Sequence, residues 1–300
     1  MSTQAEHHYI PKFLLRGWEG GADEKLSAMR WLRGQISEHR YKAKSVAKER
    51  HLYAIRRDLP EPNQRLEQEF MTKHVDEPAS LVHKAIVANG MANLTEREQY
   101  IWTRFLVSLV MRGPGAIAYV RAKGINALGE QFDVSPDDYL DQRGAEPEPT
   151  LRKYIEKHAP EVLTDFGNVA LPNIIQTSFL NKKIFEAQWI TRRLTKGPQR
   201  FVIGDRPLTL FGAIADRFLL FVPVAPDLGF FAFNSHETGA RLREKGEPTL
   251  IREMNRGMVE QASVYVYGTN NEHRRLLELR LEKTAAGPGL GLGPRPPAQA

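Results

Sequence analysis

Apolar side chains recur along this chain in two rhythms, and the change from one to the other predicts its architecture. From Leu66 to about residue 182 the rhythm is helical. Leu66, Phe70 and Met71 form one apolar stripe, and Leu81, Val82, Ala85 and Ile86 form the next. Pro78 is placed to begin the second helix and Asn89-Gly90 to end it. Thr95 followed by Glu98 is a capping-box signature. The helix it opens is apolar nearly all round up to Met111, where Gly113-Pro114 stops it, so it is expected at the centre of the core. Residues 116–128, 151–158 and 171–180 continue the helical pattern, and residues 129–150 are expected to form an acidic, proline-containing surface excursion.

After residue 182 the period shortens. Residues 185–190, 200–204, 208–211, 218–224 and 228–233 are β-like runs parted by turn residues, and residues 264–267 add a last strand after residues 253–262. Ahead of the helical region, residues 26–32 and 35–38 flank Arg33-Gly34 as a hairpin. Pro11 breaks the apolar stretch from Tyr9 to Trp18 into an extended lead-in and a short helical turn. The expected class is α+β: a mainly helical N-terminal two-thirds packed with a small, mostly antiparallel sheet from the C-terminal third. One domain is expected over residues 1–283, with a helical layer at about 60–182 and a β-rich part at about 183–270. A disordered Gly/Pro-rich tail follows over 284–300.

Composition narrows the chemistry. A hydrophobic content of 41% in 300 residues supports a substantial core. The absence of cysteine excludes disulfides, thiolate nucleophiles and cysteine-ligated zinc. His7 and His8 stand where a signal peptide would need an apolar core, and no window holds eighteen uninterrupted apolar residues. A cytoplasmic protein without membrane contact is expected. The formal charge of +6 is unevenly spread. Residues 33–57 set eight Lys or Arg against Glu38 and Glu49, whereas residues 130–149 set seven acids against Arg143. Cations gathered on one face would favour a polyanionic partner, nucleic acid or nucleotide.

The densest chemistry lies in His7-His8-Tyr9-Ile10-Pro11-Lys12-Phe13-Leu14-Leu15-Arg16. Adjacent side chains on an extended segment point to opposite faces, so the two imidazoles are not expected to serve one centre. His8 is the candidate acid, base or ligand, with His7 and Tyr9 as ligand-binding groups. Asp205 sits where an apolar strand gives way to a turn before Pro207, and Glu69 offers a second carboxylate from a helix. Arg16, Arg50 and Arg112 are the candidate clamps for phosphate or carboxylate. Each also has a plainer role. The His7, His8, Tyr9 and Arg16 side chains can anchor the N-terminus, Asp205 can cap its own turn, Glu69 can pair with Lys73, and Arg112 can face the carbonyls ending its helix. Glu67 and His74 could bracket a cation but supply only part of a metal shell. No phosphate loop, His-Glu-x-x-His, nucleophile elbow or dinucleotide fingerprint is present, so the sequence specifies neither metal nor cofactor.

The opening motif, the later Lys44-Ser45-Val46-Ala47-Lys48-Glu49-Arg50-His51-Leu52-Tyr53, the Glu67/Glu69 helix and the late Gly204-Asp205-Arg206-Pro207 occur in an order that resembles the domain of unknown function 4238 family, over roughly residues 6–270. In that family the late motif more often reads Ser-Asp-x-Pro, and Gly204 takes the serine's place here. The resemblance groups the chain without implying an activity. Three readings follow: a protein binding or processing a polyanion through His8, Asp205, Glu69 and the arginines; a non-catalytic interaction protein whose opening motif is structural; or a small-molecule hydrolase or transferase. The first needs a basic face, the second a saturated motif, and the third a deep pocket.

Overall fold

Strand β1 (Glu6–His8) leads through Pro11 into a single helical turn, α1 (Lys12–Leu15), continued by a 3-10 turn at Arg16–Trp18. These belong to a computed structural model that describes residues 6–55, 62–133, 136–142, 144 and 147–281. The tail expected over 284–300 lies outside the described residues, as do Arg56 and Arg57 of the basic segment. Strands β2 (Leu26–Leu32) and β3 (Gln35–Tyr41) form the expected hairpin. Arg33 and Gly34 both take positive φ, 49° and 82°, as a two-residue turn matched to the strand twist requires. Strand β4 (Lys48–Arg50) returns antiparallel to β1, pairing His7 with Glu49 and His8 with Lys48.

The helical layer begins with an eleven-residue π-helix, Leu66–Asp76. It continues through α2 (Glu77–Asn89), α3 (Glu96–Met111), α4 (Pro114–Asp133), α5 (Pro136–Gln142), α6 (Leu151–His158), α7 (Pro160–Thr177) and α8 (Phe179–Phe185). The capping box before α3 forms: Glu98 N–H donates to Thr95 Oγ1, and Thr95 N–H donates to Glu98 Oε2. Trp102, Phe105, Leu106 and Val107 of α3 are buried, as the all-round apolar pattern demands. Two helical expectations need correction. The acidic excursion is partly helical, because α4 runs to Asp133 and α5 follows. The helix expected from residue 171 begins instead at Pro160, so that Pro172 lies inside α7, and it ends at Thr177 before α8. An interior proline costs about 3 kcal/mol, and burial of Leu163, Leu171 and Ile175 at roughly 1.5–3 kcal/mol each outweighs it.

Helices α4 and α7 touch backbone to backbone at Gly167. A Cβ there would lie 2.8 Å from both Cα and N of Arg121. Backbone cannot swing aside as a side chain can, so Gly167→Ala must push the helices apart. Overpacking of about 1–3 kcal/mol exceeds the roughly 1 kcal/mol that alanine gains as a helix former. Urea unfolding should show a net loss; an unchanged midpoint would mean the helices separate without cost.

The later chain supplies β5 (Gln188–Arg193), β6 (Ile203–Gly204), β7 (Thr209–Gly212), β8 (Phe218–Ala225) and β9 (Leu228–Phe233), then α9 (His236–Glu244), α10 (Glu247–Gln261), β10 (Tyr265–Gly268) and α11 (Arg274–Arg280). Strands β5-β9-β8-β7 form one antiparallel sheet. Its two inner strands are buried on both faces. Leu220, Val222, Val224, Phe230 and Ala232 pack into the core containing Trp102 and Phe105, while Phe221, Phe231 and Phe233 meet Leu250, Met254 and Met258 of α10. That double burial explains their nearly unbroken apolar sequence.

The N-terminal two-thirds is not simply helical. Strands β1 to β4 lie within the first fifty residues, and β2 sits inside a second sheet of order β3-β2-β10-β6. Strand β10 is antiparallel to both β2 and β6, with Ser27 opposite Gly268 and Gly204 opposite Val266. The α+β class holds, but its sheets draw on both ends of the chain.

Candidate functional site

Strand β1 sends its two imidazoles to different surroundings, as alternation requires. His7 is fully buried and stacked on Tyr53, with ring centroids 5.4 Å apart. The Tyr53 N–H donates to His7 Nδ1 at 2.9 Å, which leaves Nε2 as the protonated nitrogen donating to Gln64 Oε1 at 2.5 Å. Gln64 Nε2 in turn donates to His51 Nδ1 at 3.0 Å. His7 is therefore neutral with its tautomer fixed, and both ring nitrogens are occupied. On the other face His8 Nε2 donates to the Lys44 carbonyl at 3.2 Å. Burial holds its pKa down at about 4, helped by Lys12 and, to a smaller degree, by Lys48 and Arg112.

The π-helix builds the charged centre behind β1. The Glu77 N–H reaches back five residues to the Thr72 carbonyl. Nine residues make about two turns of such an i→i+5 helix but two and a half of an α-helix. Glu67 and Asp76 consequently share a face that α-helical phasing would have split. Between them lies Arg112, the residue capping the C-terminus of α3 and 0% exposed. Its Nη1 and Nη2 donate to Asp76 Oδ1 and Oδ2 at 2.7 and 3.0 Å, a bidentate pair, and Nη2 also donates to the His8 carbonyl at 3.0 Å. Tyr53 Oη donates to the Arg112 carbonyl at 2.7 Å. Glu67 is 6% exposed and its Oε2 has no hydrogen-bond partner, nor has Arg112 Nε. Burial raises the Glu67 pKa to about 7, against the pull of Arg112 and with the repulsion of Asp76. Near neutral pH the His8 imidazole is thus uncharged, while the Glu67 carboxyl behind the strand stands on the edge of ionisation.

Asp205 occupies a third environment. Its carboxylate accepts from the N–H groups of Ser263, Val264 and Tyr265 at 2.6, 2.6 and 3.0 Å, while its own N–H donates to the Tyr265 carbonyl at 2.9 Å. Burial pushes its pKa up and the three N–H groups oppose that. The aspartate fixes the connection from α10 into β10. Tyr9 meets it from the N-terminal side: the Tyr9 and Tyr267 hydroxyls share a hydrogen bond, and Asp205 acts on both phenols, each raised in pKa chiefly by burial. Gly204, just before it, faces α10, where a Cβ would lie 3.2 Å from the Ala262 Cβ and 3.3 Å from the Met258 carbonyl oxygen. Glycine suits that close approach.

The residues singled out from sequence divide. Arg112 holds the His8 backbone, and Tyr53 links the His7 ring to the Arg112 carbonyl, whereas the His8 imidazole lies on the other face of β1 and Tyr9 belongs with the Asp205 turn. Glu69, Arg16 and Arg50 are exposed and do not enter the cluster. His74 is also exposed, and no group of three or more His, Asp or Glu among the described residues is placed to hold a metal ion. No ion pair forms between Glu69 and Lys73 among the described residues; both are exposed on the π-helix. Sequence reasoning missed Asp76, Gln64 and Tyr53 and weighed Glu67 only as a cation ligand, because its helical phase was read at 3.6 residues per turn. A concavity of about 610 Å3 beside α3 and α8 shares no residue with this cluster. No helix among the described residues is long and apolar enough to cross a membrane.

The family model described as "Protein of unknown function (DUF4238)" matches residues 6–272, from β1 through the end of the second sheet. The chain belongs to DUF4238. The matched span of this DUF4238 member holds the opening motif, the π-helix, Arg112 and the Asp205 turn. No curated protein and no solved structure matches the chain.

Proposed function

We propose that this DUF4238 protein binds a phosphate-bearing ligand, nucleic acid or nucleotide, where β1, β4 and α1 bring Lys12 and Lys48 about His8. The observation that carries the reading is the position of His8, directly opposite Lys48 in the strand register, bonded to the Lys44 backbone and within the field of Lys12. An anion placed there would be held by the lysines and would favour protonation of His8, so binding would take up a proton. Processing of the ligand would use His8 as the proton-transfer group. Arg112 acts from beneath by fixing the β1 backbone and cannot itself reach a surface ligand. Not all of the basic segment is free: Arg40 pairs with Asp23, Lys42 with Glu24, and Lys48 with Glu6 at 3.4 Å. The Lys48 pair is exposed, worth about 0–1 kcal/mol, so an incoming phosphate can displace Glu6.

Titration of labelled single-stranded DNA and RNA over a salt series tests this. Affinity should fall steeply with salt, and Lys12→Ala and Lys48→Ala should each reduce the slope by about one ion. Absence of binding at low salt, or slopes untouched by both variants, overturns the proposal. Such a result would favour a second reading, a non-catalytic interaction protein with a structural opening motif. The saturation of His7 by Gln64 and Tyr53, and of Asp205 by three N–H groups, supports that alternative.

A further inference from the structure

Strand β3 is an edge of the second sheet, and its outer side carries unmet backbone chemistry. It runs seven residues in unbroken register with β2, with none of the prolines, lysines or bulges that keep an exposed edge from pairing. The two-residue turn at Arg33-Gly34 fixes which groups face outward. Leu32 and Gln35 flank that turn and exchange the first ladder hydrogen bonds, so Gln35, Ser37, His39 and Tyr41 bond inward to β2. The N–H and C=O groups of Ile36, Glu38 and Arg40 turn the other way. None of these has a further backbone partner among the described residues.

A strand laid antiparallel along this edge must match it in charge as well as in hydrogen bonding. A second copy related by a two-fold axis can do so in one register. Directly opposed residues are either both hydrogen-bonded or both not, so the axis must pass a residue that faces its own counterpart. Centring on Glu38 opposes two carboxylates, centring on Arg40 opposes two guanidiniums, and centring on Ser37 sets Glu38 against the buried Ile36. Centring on His39 sets Glu38 of each copy opposite Arg40 of the other, and Ser37 opposite Tyr41, which is 41% exposed. Glu38 keeps its bond from Ser27 and Arg40 its pair with Asp23, so the match is one of fields rather than of new contacts. We propose that the protein forms a two-fold homodimer through β3, with the exposed His39 pair on the axis, joining two copies of this sheet into one of eight strands. The proposal does not rest on the reading of the His8 face.

Sedimentation velocity on the full chain, over a wide range of concentration, tests it, and a species of twice the chain mass is expected. His39→Lys sets two ammonium groups face to face and should weaken dimerisation at least about tenfold. His39 is exposed, so the variant should keep the circular dichroism of the wild type. Because the chain has no cysteine, His39→Cys reads the register directly. His39 bonds inward to β2, so across the axis it forms a non-hydrogen-bonded pair with Cα atoms about 4.5 Å apart, within disulfide range. Mild oxidation should cross-link His39→Cys and leave Tyr41→Cys unlinked, since that position meets Ser37. The proposal is overturned if the wild type is a monomer throughout, if His39→Lys dimerises as the wild type does, or if Tyr41→Cys cross-links as readily as His39→Cys.

Discussion

Asp76→Ala should destabilise the protein by about 3–5 kcal/mol, the usual consequence of leaving a buried charge without its counter-ion. Arg112 cannot escape to solvent, since its side chain is 0% exposed against 21% for that of Asp76. Both nitrogens of its fork would lose their carboxylate, while the single bond to the His8 carbonyl would remain. Glu67 is a second carboxyl acting on this guanidinium. Without Asp76 its repulsion disappears and Glu67 can ionise more readily to serve as the replacement. The loss should therefore be larger at pH 5, where Glu67 is protonated, than at pH 8. Denaturant unfolding at both values measures it. A change below about 1 kcal/mol at pH 5 would show that Arg112 does not depend on this pair.

Glu67→Gln should act in the opposite direction. In the unfolded chain the carboxyl titrates at 4.5, whereas burial raises it to about 7 in the folded protein. Folding therefore takes up a proton between those values, and stability declines as pH rises through that window. Below 4.5 both states are protonated and nothing is lost; above 7 the full difference, about 3 kcal/mol, is lost. Glutamine keeps the shape without a titrating group. The variant should match the wild type near pH 4.5 and exceed it by up to about 3 kcal/mol at pH 8. Parallel pH profiles for the two proteins would mean that the Glu67 carboxyl is hydrated.

Local chemistry was the most legible part of this fold. Arg33-Gly34 and the Thr95/Glu98 box depend on a few neighbouring residues, and both form as their sequences dictate. Where tertiary burial competes with local preference the sequence misleads, as at Pro172, which reads as a helix start but lies inside α7, and at residues 185–190, where α8 runs through Phe185 and the strand starts at Gln188. The candidate cluster was half visible. His7, His8 and Arg112 are chemically conspicuous, but the partnership of Glu67 with Asp76 depends on a helical period that is rare enough never to be the default. The pairing of β2 with β10 left no local trace at all, because each strand looks the same whichever neighbour it finds.

That last pairing sets an order on biosynthesis. While the ribosome is still making the helices, the Leu26–Tyr41 hairpin must wait with the inner edge of β2 unpaired, since its neighbour Tyr265–Gly268 is the last strand among the described residues to emerge. Loop-closure entropy over so long an interval makes this contact slow to form, and an open edge in the meantime is a template for other nascent chains. The stretch open to mispairing for longest is therefore the first hairpin rather than the final strand.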